Sequence, residues 1–168
     1  MKISVALALA LLAAPAVAQH HHAHHHGAGQ LGIVVEGERL TLQLALAQAD
    51  LVGFERAART PREQLAAQAV LAKLGQPARL FVPAAAAQCQ LVEQATEAPL
   101  LQGGQAADGH GDIAARYVYR CARPAALNEV KVGVSGEFAR VRTLAVSFAG
   151  PQGQKAGRID GKSPVFAW

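Results

Sequence analysis

The sequence predicts an α+β fold, with a mainly antiparallel sheet, one well-capped helix and a short second helical turn. Two observations lead to this prediction. Apolar residues alternate with polar or small residues in several short runs, which is the pattern of half-buried strands. One segment, 61–74, instead carries apolar residues at helical spacing between clear start and stop signals. Residues 31–168 have the length of one ordinary domain.

The first 18 residues have the composition of an export signal. Lys2 supplies the positive start, residues 3–14 are apolar, and Ala16-Val17-Ala18 is a small-residue cleavage site. We therefore expect a periplasmic mature protein that begins at Gln19. No later stretch has the roughly 20 consecutive apolar residues that a transmembrane helix needs, so we expect no membrane span after cleavage.

Six of the seven histidines lie within residues 20–26. Alternate residues share a side in extended backbone, and residues four apart share a side in a helix, so either conformation brings two to four imidazoles near one ion. Imidazole suits zinc, copper and nickel better than magnesium or calcium. We therefore predict that this segment binds Zn²⁺, or another divalent transition metal, through His20, His21, His22, His24, His25 and His26.

Two other interpretations of this segment are open. It could be a purification tag, although a tag is ordinarily unbroken and does not follow an export signal. It could also be a solvated low-complexity linker. We assign residues 19–30 to a flexible metal-binding segment that ends in the Gly27-Ala28-Gly29 run.

The next stretch has the period of a β-hairpin. Apolar side chains recur at every second residue on both sides of a turn at Gly37, namely Leu31, Ile33, Val35, Leu40, Leu42, Leu44 and Leu46. Asp50 and Glu55 then flank an apolar turn in which Gly53 is suited to an unusual backbone angle. The two acids are weaker candidates for metal binding. The favoured alternative is a buried Phe54 with both carboxylates in solvent.

Helix signals follow the hairpin. Thr60 is a predicted N-cap, Pro61 occupies the first helical position, and Glu63 completes a capping box. Gly75 and Pro77 end the helix. A short helical turn is predicted over 78–81.

Two further strands, 87–95 and 113–121, place Cys89 and Cys121 on apolar faces. If the strands pair antiparallel, the two sulfurs come within bonding range. An even number of cysteines in an exported chain favours a disulfide. The alternative, a pair of thiolate ligands, lacks the close spacing of zinc sites.

The connection between these strands is a glycine-rich loop with three further ligand candidates, Asp108, His110 and Asp112. Solvated surface is the more usual role of such residues. Short strands at 130–134, 141–148, 156–159 and 165–168 complete the predicted sheet, with turns at Ser135-Gly136 and 150–153.

Neither catalysis nor nucleic-acid binding is expected. The sequence has no HExxH, no nucleophile elbow and no phosphate-binding loop. A net charge of +4 without a Lys/Arg cluster is too weak a signal for a nucleic-acid interface.

With these features in place, the chain resembles the ZrgA family of small periplasmic proteins linked to bacterial zinc uptake. The features that carry the resemblance are His26-Gly27-Ala28-Gly29-Gln30-Leu31, Val52-Gly53-Phe54-Glu55, Thr60 to Glu63, Ala87-Gln88-Cys89, Tyr117-Val118-Tyr119-Arg120-Cys121 and Trp168. The resemblance implies a protein that binds zinc and supports its import beside an ABC-type zinc transporter or its binding protein.

Two features depart from the family pattern. Family members often have histidine after the Gly-Phe-Glu segment, where this chain has Arg56, and their central loop is often richer in His and Asp. The zinc capacity is therefore expected mainly at the N-terminus. The competing hypothesis is an exported β-rich interaction domain with an incidental histidine-rich linker.

Overall fold

The computed structural model describes residues 27–105 and 111–168. This part of the chain forms nine strands and four α-helices. The strands are β1 (Ala28–Glu36), β2 (Arg39–Ala47), β3 (Phe81–Pro83), β4 (Cys89–Glu97), β5 (Asp112–Cys121), β6 (Glu129–Val132), β7 (Thr143–Gly150), β8 (Gly153–Asp160) and β9 (Val165–Ala167). The helices are α1 (Gln48–Val52), α2 (Pro61–Leu74), α3 (Pro77–Leu80) and α4 (Val134–Glu137). The predicted α+β class is confirmed.

Six strands form one sheet in the order β4-β5-β2-β1-β7-β8. All neighbours are antiparallel except β1 and β7, which run parallel. The predicted leucine hairpin is confirmed as β1 and β2, and its alternate leucines are buried. The side chains of the other face, such as Gln43 and Ala45, are exposed, so the sheet has one core face and one open face.

A second sheet, in the order β3-β6-β9, lies on the core side of the first. Phe81 of β3 contacts Tyr117 of β5 with ring centroids 5.2 Å apart, and Trp168, next to β9, stacks on Phe148 of β7 at 4.6 Å. The predicted C-terminal strand is confirmed, and the aromatic contacts explain why it packs there.

The helix α2 has the bounds that its sequence signals predict. Thr60 accepts a hydrogen bond from the backbone N–H of Glu63, and the Glu63 side chain accepts one from the N–H of Thr60, so the capping box is complete. At its other end, the buried Tyr117 hydroxyl donates to the carbonyl of Leu74 at 2.8 Å. Among the described helices, none is long and apolar enough to cross a membrane.

Cys89 and Cys121 lie directly opposite each other in the β4–β5 pair and form a disulfide. The predicted pairing is confirmed. β4 starts later than predicted because Ala85–Ala87 forms a 3-10 turn, after which Gln88 adopts a positive φ of 52°.

Two further predicted boundaries are wrong. Residues 27–30, assigned to the flexible segment, belong to the fold, because β1 starts at Ala28 and pairs there with Thr143 of β7. The strand predicted over 130–134 ends at Val132, since Gly133 donates to the carbonyl of Leu80 and the chain then turns into α4. The short helices α1 and α4 were not predicted.

Candidate functional site

A buried carboxylate holds the amide of Gly27, the first residue that the structure describes. The N–H of Gly27 donates to Asp50 Oδ2 at 2.8 Å, and Asp50 is only 7% exposed. The Gly27 carbonyl accepts from the backbone N–H groups of Arg142 (2.9 Å) and Thr143 (3.2 Å). Gly27 has a φ of +79°, and a Cβ there would lie 2.9 Å from Arg142 Nε, so the position requires glycine.

The helix α1 also holds the chain where it returns from residues 106–110. The backbone N–H of Gln48 donates to the carbonyl of Gly111 at 2.7 Å, and the neighbouring Asp112 pairs with Ala47. Gln48 and Asp50 belong to the same short helix. The residues that follow 20–26 and 106–110 are therefore both fixed to α1, at one end of the six-stranded sheet. We call Gln48, Asp50, Gly27 and Gly111 the α1 junction.

Hydrogen bonds from distant residues support this junction. The buried Gln48 amide donates to the carbonyls of Phe54 (3.0 Å) and Arg56 (2.8 Å), which fixes the chain after α1. Arg140 donates to the carbonyls of Asp50 (3.3 Å) and Leu51 (2.9 Å), two groups that a helix end otherwise leaves without partners. The predicted unusual angle of Gly53 is confirmed, because it ends α1 with a φ of +90°.

The three candidate carboxylates of the described residues do not converge. Asp50 is buried and accepts the Gly27 amide, so the expectation of two solvated carboxylates is wrong for this residue. Glu55 is exposed, and so is Asp112 at the start of β5. Phe54, expected to be buried, is half-buried, and the Arg56 guanidinium lies over its ring at 5.1 Å from the centroid.

The remaining predicted ligands lie outside the described residues. These are His20, His21, His22, His24, His25, His26, Asp108 and His110, and the export signal of residues 1–18 lies outside as well. Within 27–105 and 111–168 no group of three or more His, Cys, Asp or Glu side chains is placed to hold a metal ion. Both cysteines there are oxidised to the disulfide.

Arg56 has a structural partner in Glu63. Its guanidinium donates to both carboxylate oxygens, at 3.0 and 2.6 Å, and Glu63 also accepts from the backbone N–H groups of Arg59 and Thr60. The hydrogen bonds from Arg56 and from these amides lower the pKa of Glu63 to about 2. Arg56 therefore stabilises the start of α2 through its ion pair with Glu63. It occupies the sequence position at which the family resemblance predicts histidine.

Sequence reasoning singled out Asp50 as a candidate ligand but missed the junction that it forms with Gln48, Gly27 and Gly111. The only local signal was Gly53, a residue type that commonly ends helices. Asp50 and Gly27 are separated by 23 residues, and Arg140 and Asp50 by 90. The contact of Arg140 with Asp50 depends on the strand order, which the alternation of apolar residues does not specify.

Comparison with known proteins adds one match. The model of the family described as ZrgA family zinc uptake protein matches residues 23–168. The match covers every residue that the structure describes and begins inside the histidine segment. No curated protein matches the chain.

Proposed function

The chain belongs to the ZrgA family of zinc uptake proteins, and we propose that it is a non-enzymatic periplasmic accessory protein that binds Zn²⁺ through residues 20–26 and supports its import. The observation that carries the proposal is the position of six histidines immediately before a domain that the zinc-uptake family model covers. Zinc is the cargo in this proposal rather than a structural component of the fold.

The chemistry of the donor groups favours a transition metal. Imidazole nitrogens bind Zn²⁺ at about 2.0–2.1 Å, and four ligands complete its usual tetrahedron. Six imidazoles within seven residues exceed that number, so several ligand sets are available and the ion can exchange between them. An exchangeable site suits a protein that passes zinc on to another.

The α1 junction supports a contribution from the central loop. Gly27 follows His26, Gly111 follows His110, and both glycines are held by α1. We propose that His110 and Asp108 act as secondary ligands at this end of the domain. Asp50 is proposed as part of the support, because its carboxylate already accepts the Gly27 amide.

The proposed location and partner follow from the family and the disulfide. A disulfide persists in oxidising compartments such as the periplasm, and the export signal predicted over 1–18 would direct the chain there. The partner proposed for zinc delivery is an ABC-type zinc transporter or its binding protein.

Calorimetric zinc titration at about pH 7.5 tests this function, since imidazole is then mostly neutral. The mature chain would be compared with a variant of equal length that has serine at all six positions of the histidine segment, and with the single variant His110→Ser. We expect the six-serine variant to lose most of the affinity and His110→Ser to lose only a small part. If the six-serine variant binds zinc as the mature chain does, the histidine segment is not the principal site, and an interaction domain with an incidental linker becomes the better explanation.

A further inference from the structure

The open face of the six-stranded sheet contains a trough of about 640 Å³ on the side away from the core. One row of directly paired residues crosses all six strands, from β8 to β4, and consists of Arg158, Ala145, Gln30, Ala45, Ala114 and Glu97. Directly paired residues point to the same side of a sheet, and all six are exposed. This first row thus has a cation at one edge of the sheet, an anion at the other edge, and mostly alanine between them.

A second row, two residues further along each strand, is also rich in small residues. It consists of Ala156, Ser147, Gly32, Gln43, Arg116 and Ala95. Small residues let another surface approach the sheet closely, and long side chains of that surface can then enter the trough. The two rows therefore describe a face that a second sheet of matching pattern can cover.

The first row is complementary in charge to a second copy of itself. Within the described residues neither Arg158 nor Glu97 forms an ion pair. A second copy would cover the face by a two-fold rotation about an axis that lies between the two sheets, parallel to the strands and midway between β1 and β2. The rotation reverses the strand order, so β8 comes opposite β4, β7 opposite β5, and β1 opposite β2. Arg158 of each copy then faces Glu97 of the other.

The same rotation places each large side chain inside the rows opposite a small one. The pairs across the interface are Gln30 with Ala45, Gln43 with Gly32, and Arg116 with Ser147. Inner faces of aligned sheets interdigitate in this manner. The trough of each copy therefore receives the glutamine side chains of the other copy.

The charges of the face distinguish this axis from a perpendicular one. An axis along the first row would place Arg158 opposite Arg158 and Glu97 opposite Glu97, and an axis along the second row would place Arg116 opposite Arg116. Like charges placed opposite each other disfavour association. With the axis parallel to the strands, Glu36 instead comes opposite Arg39 of the second copy. Charge complementarity therefore selects the parallel axis.

The face is also large enough for a specific interface. Five strand spacings across and about seven residues along β1 give roughly 550 Å² for each copy, and so roughly 1,100 Å² in total. A specific interface needs about 1,000 Å², and interfaces near this size are weak or transient. The area therefore predicts a weak dimer rather than an obligate one.

We propose that the open sheet face is the interface of a homodimer whose two-fold axis runs parallel to the strands. Both β1 strands flank the axis and run in the same direction, so the two Gly27 residues lie at the same end of the dimer, roughly 10–15 Å apart. The zinc-binding segments of the proposed function would then begin at neighbouring points. That consequence rests on the proposed function, whereas the dimer does not.

Sedimentation equilibrium of the mature chain, in the presence of a chelator, measures the dissociation constant of the dimer. The single charge reversals Glu97→Arg and Arg158→Glu each place like charges opposite each other twice, so each should weaken the dimer by about tenfold or more. The double variant with both reversals restores the two ion pairs, and its dissociation constant should return to within about threefold of the wild-type value. Within one chain the two residues are five strand spacings, or about 24 Å, apart. Rescue in the double variant therefore requires a second copy.

Matched controls keep the same changes away from the rows. The charge reversals Glu55→Arg and Arg62→Glu, both at exposed positions, should leave the dissociation constant unchanged. Ala45→Trp, opposite Gln30 of the second copy, should weaken the dimer, and Ala72→Trp on the exposed side of α2 should not. Circular dichroism verifies that each variant is folded.

Amide NMR shifts of the wild-type chain on dilution need no substitution. They should move at Gln30, Gly32 and Ala45 and stay constant on α2. A wild-type chain that is monomeric at about 1 mM would overturn the dimer, as would dilution shifts confined to α2 or to the second sheet. Single reversals without effect, or a double variant as weak as the single ones, would overturn the pairing of Arg158 with Glu97. Because these measurements contain no zinc, failure of the dimer is distinguishable from failure of zinc binding in the calorimetric titration.

Discussion

Asp50 and Gly27 are joined by a buried hydrogen bond of 2.8 Å from the Gly27 amide to the Asp50 carboxylate. Asp50 was a candidate zinc ligand on sequence grounds, and the structure gives its carboxylate a different partner. The hydrogen bond between Gly27 and Asp50 fixes the point at which residues 20–26 join the domain. A role as zinc ligand and a role as structural acceptor predict different effects of the substitution Asp50→Ala.

We predict that Asp50→Ala lowers the free energy of unfolding by about 1–3 kcal/mol, because it leaves the buried Gly27 amide without an acceptor. Urea denaturation measures this loss, and Glu55→Ala, at an exposed carboxylate, is the matched control with little expected effect. Zinc affinity should change less than about twofold. A tenfold weaker zinc affinity would instead identify Asp50 as a ligand.

The disulfide should contribute strongly to stability. The chain-entropy model gives roughly 3–4 kcal/mol for a loop of the size that Cys89 and Cys121 enclose. The double substitution of both cysteines by serine should therefore lower the denaturation midpoint substantially. Thiol labelling of the denatured, unreduced exported protein should find no reactive sulfhydryl. Two labelled thiols per chain would contradict the disulfide and reopen the thiolate-ligand alternative.

The elements that sequence predicted well are those with local causes. The bounds of α2 follow from Thr60, Pro61, Glu63 and Gly75, all of which act within one helical turn of the ends they define. The β1–β2 hairpin follows from strict alternation around Gly37. The pairing of Cys89 with Cys121 was also predictable, because an even number of cysteines in a chain with an export signal favours a disulfide.

The elements that were missed have distant causes. Nothing near Ala28 indicates that it pairs in parallel with Thr143, more than a hundred residues away. The support of Asp50 also comes from distant residues, since its carboxylate accepts from the Gly27 amide and its carbonyl accepts from Arg140. The candidate ligands were recognisable from composition, but their relation to the fold was not.

The Arg56–Glu63 pair should make stability depend on acid pH. The pKa of Glu63 falls from an ordinary 4.5 to about 2 in the folded chain, so its stabilising effect is complete above 4.5 and is lost as the pH falls toward 2. We predict that wild type is more stable than Glu63→Gln at neutral pH and that the difference shrinks over this range. Urea denaturation at several pH values measures it, with Glu55→Gln as control. A difference that stays constant with pH would contradict the prediction.

Both tyrosines of the chain should resist ionisation. Burial raises the pKa of Tyr119 to about 12, from an ordinary 10, and burial raises the pKa of Tyr117 as well. The folded state therefore favours the neutral phenols, and this stabilisation is present below pH 10 and is lost as the pH rises toward 12. Phenolate absorbance should show no step near pH 10 in the native protein, whereas the urea-unfolded chain should titrate there. A native phenolate step near pH 10, with circular dichroism unchanged, would contradict the burial of these rings.

Zinc binding should fall steeply with acid if the histidines are the ligands. With an unperturbed pKa of about 6.5, an imidazole is roughly 90% neutral at pH 7.5 and only about 3% neutral at pH 5. Two imidazoles that must both be deprotonated therefore lose about a thousandfold in affinity over this interval, and each further ligand adds to the loss. The zinc affinity of a carboxylate site would change little over the same range, because carboxylates titrate near 4.

Calorimetric titration of the mature chain at both pH values measures the ratio of the two zinc affinities, and the six-serine variant shows what the carboxylates contribute alone. Affinity that is maintained at pH 5 would contradict a histidine site and direct attention to Glu55, Asp108 and Asp112.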